Sequence, residues 1–194
     1  MILISIRPFD VKKIAGLVAA IVCLSTVSGF AQSSLLLSVA STPYDRQMTR
    51  IQPVLLSKAA GHNCSVSLAL VNQWIQGLRG IPYGFSNEWK LPSEVESAPA
   101  ADCKGKAVAL YEKMRESGAT NVRLVIGKRS WASRKTHAWL EWTTENGSYV
   151  LDPTINWAAC RSEKVGNKAY IPFYAYAGTK KYRAASANSL FAKN

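Results

Sequence analysis

The order of the periodic segments is the feature that most restricts how this chain can fold. After a polar segment with little periodicity up to about residue 50, apolar residues recur at helical spacing from Cys64 to Leu78 and from Cys103 to Gly118. Strand-like runs follow and cover residues 121–126, 136–143, 148–152 and 170–176. We expect the basic tail beyond Gly178 to be ordered only in part. Helices first and antiparallel strands afterwards indicate an α+β fold, with N-terminal helices packed on an antiparallel β-sheet.

The length and composition fit one folded domain. The chain has 194 residues, of which 48% are hydrophobic and 19% are charged, and this balance is too apolar for a disordered chain. It has no glycine-rich phosphate-binding loop, and its two histidines, His62 and His137, are too few for a multi-histidine metal site. We therefore expect residues 32–194 to form a single domain that uses neither a metal nor another cofactor.

The first 31 residues have the composition of a secretory signal peptide. A basic start leads into an apolar stretch over residues 14–24, and a small-residue end at Ser28–Ala31 follows. We predict cleavage after Ala31 and a periplasmic or secreted location. An uncleaved membrane anchor is the alternative, but the apolar stretch is shorter than the roughly 20 residues that a spanning helix needs. No stable membrane span is therefore expected once the signal peptide is removed.

The charge balance indicates which partners the protein attracts. The chain contains 24 Lys and Arg but only 12 Asp and Glu, which gives a net charge of +12. Cleavage after Ala31 removes three basic residues and one acidic residue, so the mature chain carries a net charge of +10. A basic exported protein is attracted to anionic envelope surfaces and to acidic substrates, whereas export argues against nucleic acid as a partner.

The mature chain has three cysteines, an odd number for an oxidising compartment. The simplest arrangement is a disulfide between Cys64 and Cys160 that leaves the thiol of Cys103 free. Three buried, unreactive thiols are the alternative. Cys103 is distinguished by its position in the first turn of a predicted helix, where unpaired backbone N–H groups and the helix dipole favour a thiolate.

Two further residues complement a nucleophilic thiol. His137 begins one predicted strand and Asp152 ends its neighbour, and an antiparallel hairpin with a four-residue connection at Thr144–Gly147 places both on one face, diagonal to each other. A two-residue turn at Asn146–Gly147 would separate them by four positions instead. An imidazole can take the proton of the thiol, and a carboxylate on the other ring nitrogen fixes the tautomer and steadies the imidazolium.

Each of these residues also has an ordinary structural explanation. A helical cysteine is more often a small buried hydrophobe, a strand histidine is often satisfied by backbone, and an aspartate before proline is often a cap. Their joint occurrence in this order favours catalysis over three separate structural roles. His62 and Cys64 form a rival pair, but they lie two positions apart and nothing nearby completes a metal site.

Two tryptophans are candidates for lining a substrate cleft. Trp89 lies in a loop rich in proline and glycine, shortly before Cys103. Trp139 is expected to share the strand face of His137. Packing in the core is the alternative explanation for Trp139.

A set of short motifs surrounds these residues. The motifs are Asn72–Trp74, Ile81–Tyr83, Trp89 with Pro92 and Glu94, Asp102–Cys103, His137–Trp139 and Leu151–Thr154. Over residues 66–157 their order and spacing resemble the bacterial transglutaminase-like cysteine peptidases, which include the LapG-type proteases. The resemblance implies a papain-like, transglutaminase-like core in which Cys103 is the nucleophile, His137 is the general base and acid, and Asp152 orients the imidazole.

The resemblance implies an exported cysteine hydrolase that cleaves peptide or amide bonds of a protein or peptide substrate through an acyl-thioester intermediate. Acyl transfer to an amine is a close variant of this activity. The alternative from a different class is a non-catalytic module with the same fold that binds cell-wall or envelope polymers through its positive charge. LapG-type relatives carry acidic residues of a calcium site just after the cysteine, whereas this chain has Lys104-Gly105-Lys106, so we expect no calcium dependence.

Overall fold

The computed structural model describes residues 35–57, 66–166 and 168–185. The predicted signal peptide, His62 and Cys64 lie outside these residues. The helices of the described part are α1 (Asp45–Leu55), α2 (Leu68–Gly80), α3 (Pro92–Ser97), α4 (Cys103–Glu116) and a short 3₁₀ turn (Ser162–Lys164). Its strands are β1 (Leu36–Ser38), β2 (Val122–Ser130), β3 (His137–Thr144), β4 (Gly147–Leu151), β5 (Cys160–Arg161), β6 (Ala169–Ala177) and β7 (Lys180–Ala184).

The strands form one seven-stranded sheet in the order β1-β7-β6-β2-β3-β4-β5, and every neighbouring pair is antiparallel. The helices precede all but one of these strands in the chain. This arrangement confirms the α+β class that the order of the periodic segments predicts. None of the described helices is both long and apolar enough to cross a membrane.

The sheet has a buried side chain layer on each face, because successive residues of a strand point to opposite sides. The face toward the helices forms the main core, and Leu124, Leu140 and Leu151 are fully buried there. The opposite face carries a smaller buried cluster of Val125, Trp139, Val150 and Ala175. Both faces of the central strands are therefore buried, and this packing holds the ends of β2, β3 and β4, and the side chains there, in fixed positions.

Helix α4 lies at the centre of the fold and contacts α1, α2, α3, β2 and β3. It is buried around most of its circumference, at Cys103, Gly105, Lys106, Ala107, Val108, Ala109, Leu110, Tyr111 and Met114. The Asp102 carboxylate caps its first turn by accepting a hydrogen bond of 3.0 Å from the Gly105 N–H. The helix gives way to Gly118, whose φ of 93° is a conformation that glycine adopts without strain. The first turn of α4 is thus held in place by both packing and capping.

The pairing of β2 with β6 contains an irregularity beside the end of β3. The register shifts by one residue between Ile126 and Gly127, which is the signature of a β-bulge. A Cβ atom at Gly127 would lie 2.1 Å from the carbonyl oxygen of Ile171 and 2.7 Å from the ring of Trp139. Glycine is therefore required where the bulged part of β6 approaches its neighbour β2 closely.

Candidate active site

Cys103 is the first residue of α4, directly after the capping residue Asp102. Its side chain is largely buried, with 7% of the residue exposed, and it lies in the wall of a surface groove. The first N–H groups of a helix have no partner within the helix, and they create a positive electrostatic environment at its start. The local fold thus places a partly accessible sulfur where negative charge is favoured.

His137 and Asp152 are joined by a hydrogen bond of 2.7 Å between imidazole Nε2 and carboxylate Oδ2. His137 is the first residue of β3, and Asp152 directly follows β4. The observed pairs of β3 with β4 include Thr143 with Ser148, which is the predicted register, although Thr144 and Gly147 also pair and the connection is the two residues between them rather than four. That register puts both side chains on one face of the sheet, as the sequence argument requires, and leaves imidazole Nδ1 free of the carboxylate.

The Asp152 carboxylate is fully buried, yet three hydrogen bonds satisfy it. Besides His137, the hydroxyl of Tyr170 donates to Oδ2 at 2.9 Å, and the N–H of Thr154 donates to Oδ1 at 2.9 Å. Burial raises the pKa of Asp152, but these hydrogen bonds and the charge of His137 outweigh it and hold the pKa below its ordinary value. Asp152 is accordingly held in its charged form, in contact with the imidazole of His137.

His137 is shifted toward its charged form. Burial is the largest single influence and lowers the pKa of the imidazole, whereas the hydrogen bond to Asp152 and the interaction with Cys103 raise it. Their combined effect raises the pKa of His137 to about 9. At neutral pH the side chain that faces Cys103 is therefore an imidazolium.

The groove that contains Cys103 and His137 has a volume of about 760 Å³. It is lined by Tyr44, Gln47, Tyr83, Phe85, Ser86, Asn87, Trp89, Asp102, Cys103, Lys104, Ile126, Arg129, Ser133, Arg134, Lys135, Thr136, His137 and Ala138. One wall is mainly aromatic and belongs to the segment between α2 and α3. The other wall is basic and belongs to the connection between β2 and β3. A cleft of this size accommodates an extended segment of a few residues.

The two tryptophan predictions have different outcomes. Trp89 lies in the groove wall, although only 3% of it is exposed, and its indole N–H donates to Gln47 Oε1 at 3.3 Å. Trp139 shares the sheet face of His137 but is fully buried. Its ring stacks on His137 with 6.2 Å between ring centres, and Tyr170 covers it edge-on at 5.4 Å. Trp139 therefore does not line the groove, because Tyr170 of β6 packs over its ring, and the alternative of packing in the core describes it.

Tyr170 is a site residue that the sequence analysis does not identify. Its hydroxyl donates to Asp152 and accepts a hydrogen bond of 3.1 Å from the side-chain amide of Asn156. Burial, followed by the charge of Asp152, raises the pKa of Tyr170, so the hydroxyl stays protonated and acts as a donor. Its backbone has φ 53°, a strained conformation for a tyrosine. With this backbone conformation the hydroxyl of Tyr170 reaches the Asp152 carboxylate.

Lys104 and Lys106 follow Cys103 but have separate environments. The Lys104 ammonium forms an ion pair with Asp102 and donates to the carbonyl of Ser86 at 2.8 Å. Lys106 points into the interior, where its ammonium donates to the carbonyl of Ile81 at 2.5 Å. Burial, and then the charge of a neighbouring arginine, lowers the pKa of Lys106. Lys104 therefore lines the groove, whereas Lys106 links α4 to the residue that directly follows α2.

The predicted disulfide between Cys64 and Cys160 stays a prediction, because Cys64 lies outside the described residues. Cys160 is a partly exposed free thiol within the part of the chain that the structure describes. The same part contains no group of three or more His, Cys, Asp or Glu side chains arranged to hold a metal ion.

Comparison with solved structures identifies the fold. The chain resembles LapG from Legionella pneumophila with a TM-score of 0.52 and 15% identity, over 78% of this chain and 84% of LapG. A calcium-bound structure of the same protein matches with a TM-score of 0.52 and 17% identity, over 94% of each chain. An EGTA-treated structure gives 0.51 and 14% identity. The chain thus has the fold of LapG, which confirms the resemblance to LapG-type proteins that the sequence motifs indicate.

The sequence comparisons add no relative to this result. No protein-family model matches the chain. No curated protein matches it either. At the identities found, the likeness to LapG establishes the fold, and the chemistry has to be argued from the residues of the groove.

Proposed function

We propose that this protein is a cysteine hydrolase that cleaves peptide or amide bonds with Cys103, His137 and Asp152 as a catalytic triad. The observation that carries the proposal is the 2.7 Å bond between Asp152 and His137 beside a cysteine at the start of a helix. A nucleophile, a base and a group that orients the base are the parts that such a reaction needs. The shared fold with LapG supports a papain-like, transglutaminase-like core for this chain.

The reaction begins from a Cys103 thiolate beside the His137 imidazolium, with the proton of the thiol already on His137. The thiolate attacks the carbonyl carbon of the substrate, and the tetrahedral intermediate breaks down to an acyl-thioester as His137 protonates the departing amine. Water then attacks the thioester, His137 takes its proton, and the acid product leaves as Cys103 is restored. Asp152 binds Nε2 throughout, so that Nδ1 is the nitrogen that exchanges protons with sulfur and substrate.

The backbone N–H of Cys103 is the proposed first donor to the oxyanion of the tetrahedral intermediate. As the first residue of α4, it has an N–H that the helix itself does not use. A rigid donor directed at developing negative charge is typically a large contribution to acyl transfer. Packing of α4 against both helices and sheet keeps this donor in place.

Acyl transfer to an amine uses the same three side chains and differs only in the acceptor that attacks the thioester. The open groove and its basic wall leave the thioester accessible to water. We therefore place hydrolysis first and transfer second. Residues 1–31 are proposed to be a signal peptide, which makes the protein periplasmic or secreted, with a protein or peptide as its substrate.

We propose that the activity needs no calcium, in contrast to the calcium-bound state described for LapG. In this chain the one carboxylate beside the cysteine, Asp102, is already engaged. Its oxygens accept hydrogen bonds from the N–H of Gly105 at 3.0 Å and of Ser86 at 3.2 Å, and it pairs with the Lys104 ammonium. A calcium site needs 6–8 oxygen ligands, and a carboxylate that already pairs with an ammonium is a poor ligand for a second cation.

The decisive experiment is the rate of iodoacetamide alkylation of Cys103 against pH. Wild-type protein is compared with His137→Ala, and the modified Cys103 peptide is quantified by mass spectrometry because Cys160 can also react. We expect fast alkylation of the wild type that stays nearly constant between pH 5 and 7 and is lost in the variant. A rate that rises only toward the ordinary thiol pKa of about 8.5, and that ignores His137, would favour the non-catalytic polymer-binding module instead.

A further inference from the structure

The groove beside Cys103 has two walls of different chemistry. Tyr83 and Phe85 form an aromatic edge, and they are 60% and 66% exposed. The opposite edge is the connection between β2 and β3, where Arg134 and Lys135 are exposed and line the groove. Large exposed aromatic rings opposite exposed cations are unusual on a surface that binds nothing. The residues of the two walls therefore indicate the chemical class of ligand that the groove binds.

The charge of the groove is positive and uncompensated. Asp102 is its single acidic lining residue, and the Lys104 ammonium already pairs with it. Arg134 and Lys135 form no ion pair with any residue of the described part of the chain. A concave surface lined by one sign of charge concentrates ligands of the opposite sign. The two cations next to His137 thus favour an anionic group in the bound substrate.

The chain that leads into Arg134 and Lys135 is held in position at the groove edge. The turn directly before them is closed by two hydrogen bonds: the Ser133 N–H donates to the Ser130 carbonyl at 3.0 Å, and the Ser130 N–H donates to the Ser133 hydroxyl at 3.2 Å. The Lys135 ammonium lies 5.5 Å from the centre of the Phe85 ring, across the groove. A cation–π contact of this kind restrains the lysine without neutralising its charge. The basic edge is therefore an ordered recognition element that leads directly into His137.

We infer that the substrate carries an aspartate or glutamate side chain close to the scissile bond, and that this carboxylate binds between Arg134 and Lys135. The inference rests on the proposed hydrolase function. A carboxylate is the side-chain group of a peptide that satisfies a guanidinium and an ammonium together. The aromatic edge at Tyr83 and Phe85 contacts the apolar part of the same segment. The protein is thus selective for acidic peptide segments.

Charged alkylating reagents test this selectivity without a known substrate. Iodoacetate carries a negative charge and iodoacetamide is neutral, so the ratio of their rates at Cys103 reports the field of the groove. The variant Arg134→Gln/Lys135→Gln is compared with wild type, and Lys164→Gln/Lys180→Gln, which removes two exposed lysines outside the groove, is the matched control. We expect the double variant to lower the ratio about fivefold at low salt, and the control to leave it unchanged.

The two reagents also distinguish a failure of the acidic-substrate inference from a failure of the proposed hydrolase function. Rapid iodoacetamide alkylation with an unchanged ratio in the double variant overturns the acidic-substrate inference and leaves the hydrolase proposal standing. Slow iodoacetamide alkylation in the wild type overturns both. A ratio that falls equally in Lys164→Gln/Lys180→Gln reports net charge alone, and it also overturns the inference.

Cleavage of a peptide mixture provides the second test. Products are sequenced by mass spectrometry, and we expect Asp and Glu to be enriched beside the cut at least threefold over Asn and Gln. In Arg134→Glu/Lys135→Glu the enrichment should shift to Lys and Arg, because the sign of the wall is reversed. Cleavage that shows no acidic preference in the wild type, or the same preference in the reversed variant, overturns the inference.

Discussion

Imidazole Nε2 of His137 lies 2.7 Å from Oδ2 of Asp152, although the two residues are not a pair of the β3–β4 ladder. The ladder ends at the pair Leu140 with Leu151, and Asp152 is the next residue, where the chain leaves the sheet. The turn that follows lets the carboxylate swing toward the start of β3, and the N–H of Thr154 holds it there. The contact thus depends on the strand register and on the turn after β4 together.

The first prediction concerns the charge of Asp152. Asp152→Asn keeps the shape of the side chain but removes the negative charge, so the pKa of His137, which is about 9 in the wild type, should fall by at least one unit. An imidazole is protonated below its pKa. The wild type therefore holds an imidazolium up to about pH 9, and the variant loses it at lower pH. We expect kcat/KM at pH 8 to fall by about 10²–10⁴.

Imidazole NMR signals followed against pH measure this shift directly. His62 is the only other histidine of the chain, and His62→Gln assigns the two signals. The same variant should leave the titration of His137 and the activity unchanged. If His137 titrates at the same pH in Asp152→Asn as in the wild type, the electrostatic role of Asp152 is wrong.

The second prediction concerns Tyr170 as a positioning residue. Tyr170→Phe removes the hydroxyl that donates to Asp152, so the pKa of Asp152 should rise and the imidazole should be held less firmly. We expect a loss of about tenfold in kcat with little change in KM, because a single hydrogen bond contributes about 1 kcal/mol. The pH below which activity is lost should also move upward.

Tyr174→Phe is the matched control for this variant. Tyr174 lies on the same strand, it packs edge-on against Tyr44, and it does not line the groove. Its variant should have the wild-type kcat and pH profile. If kcat falls equally in both variants, a disturbance of the strand, rather than loss of the Tyr170 hydroxyl, is responsible.

The main helices and strands could be predicted because their signals are local. The spacing from Cys103 and the strand-like runs correspond to α4, β2, β3, β4 and β6 within a few residues. Helix α1 was not predicted for two reasons. Pro53, a residue that usually breaks helices, lies inside it, and most of the residues before Ile51 are polar and show little periodicity. Its buried side chains are Met48, Ile51, Val54 and Leu55. No strand was predicted in the tail beyond Gly178, where β7 forms through pairing with β1 on one side and β6 on the other.

The candidate site divides in the same way. Cys103, His137 and Asp152 could be found because a helix start and a hairpin register are readable from a sequence. Tyr170 could not, because its position under Asp152 depends on the bulge in β6 and on an uncommon backbone conformation. For Trp139 the sequence left a place in the cleft and packing in the core both open, because the residue that decides between them, Tyr170, comes much later in the chain.

The third prediction concerns the close approach of β6 to β2 at the bulge. In Gly127→Ala the new methyl group meets the Ile171 carbonyl oxygen at 2.1 Å and the Trp139 ring at 2.7 Å, so the strands have to separate. We expect a loss of about 1–3 kcal/mol in the free energy of unfolding, measured by urea denaturation. Gly77→Ala in α2 is the control, because no atom lies within 4 Å of its Cβ and a gain of about 0.5–1 kcal/mol is expected there. A neutral Gly127→Ala would contradict the close approach of the strands.

The fourth prediction concerns the Lys104 ammonium as an internal cation. It joins the Asp102 carboxylate to the Ser86 carbonyl and lies 5.1 Å from the centre of the Phe85 ring, so it ties the groove wall to the start of α4. Lys104→Gln removes the charge, and we expect faster hydrogen exchange at the Ser86 amide, which donates to Asp102 at 3.2 Å, together with a three- to tenfold loss of kcat/KM.

Lys113→Gln is the control for Lys104, because it breaks an exposed ion pair with Glu96 at the other end of the same helix. Pairs of that kind contribute little, so exchange at Ser86 and activity should both be unchanged. EGTA should leave the wild-type activity unaltered, since the cation that secures this wall is covalently part of the chain. A loss of activity on EGTA treatment that added calcium restores would show that Lys104 does not replace a metal ion, and the wall would then need a ligand site elsewhere.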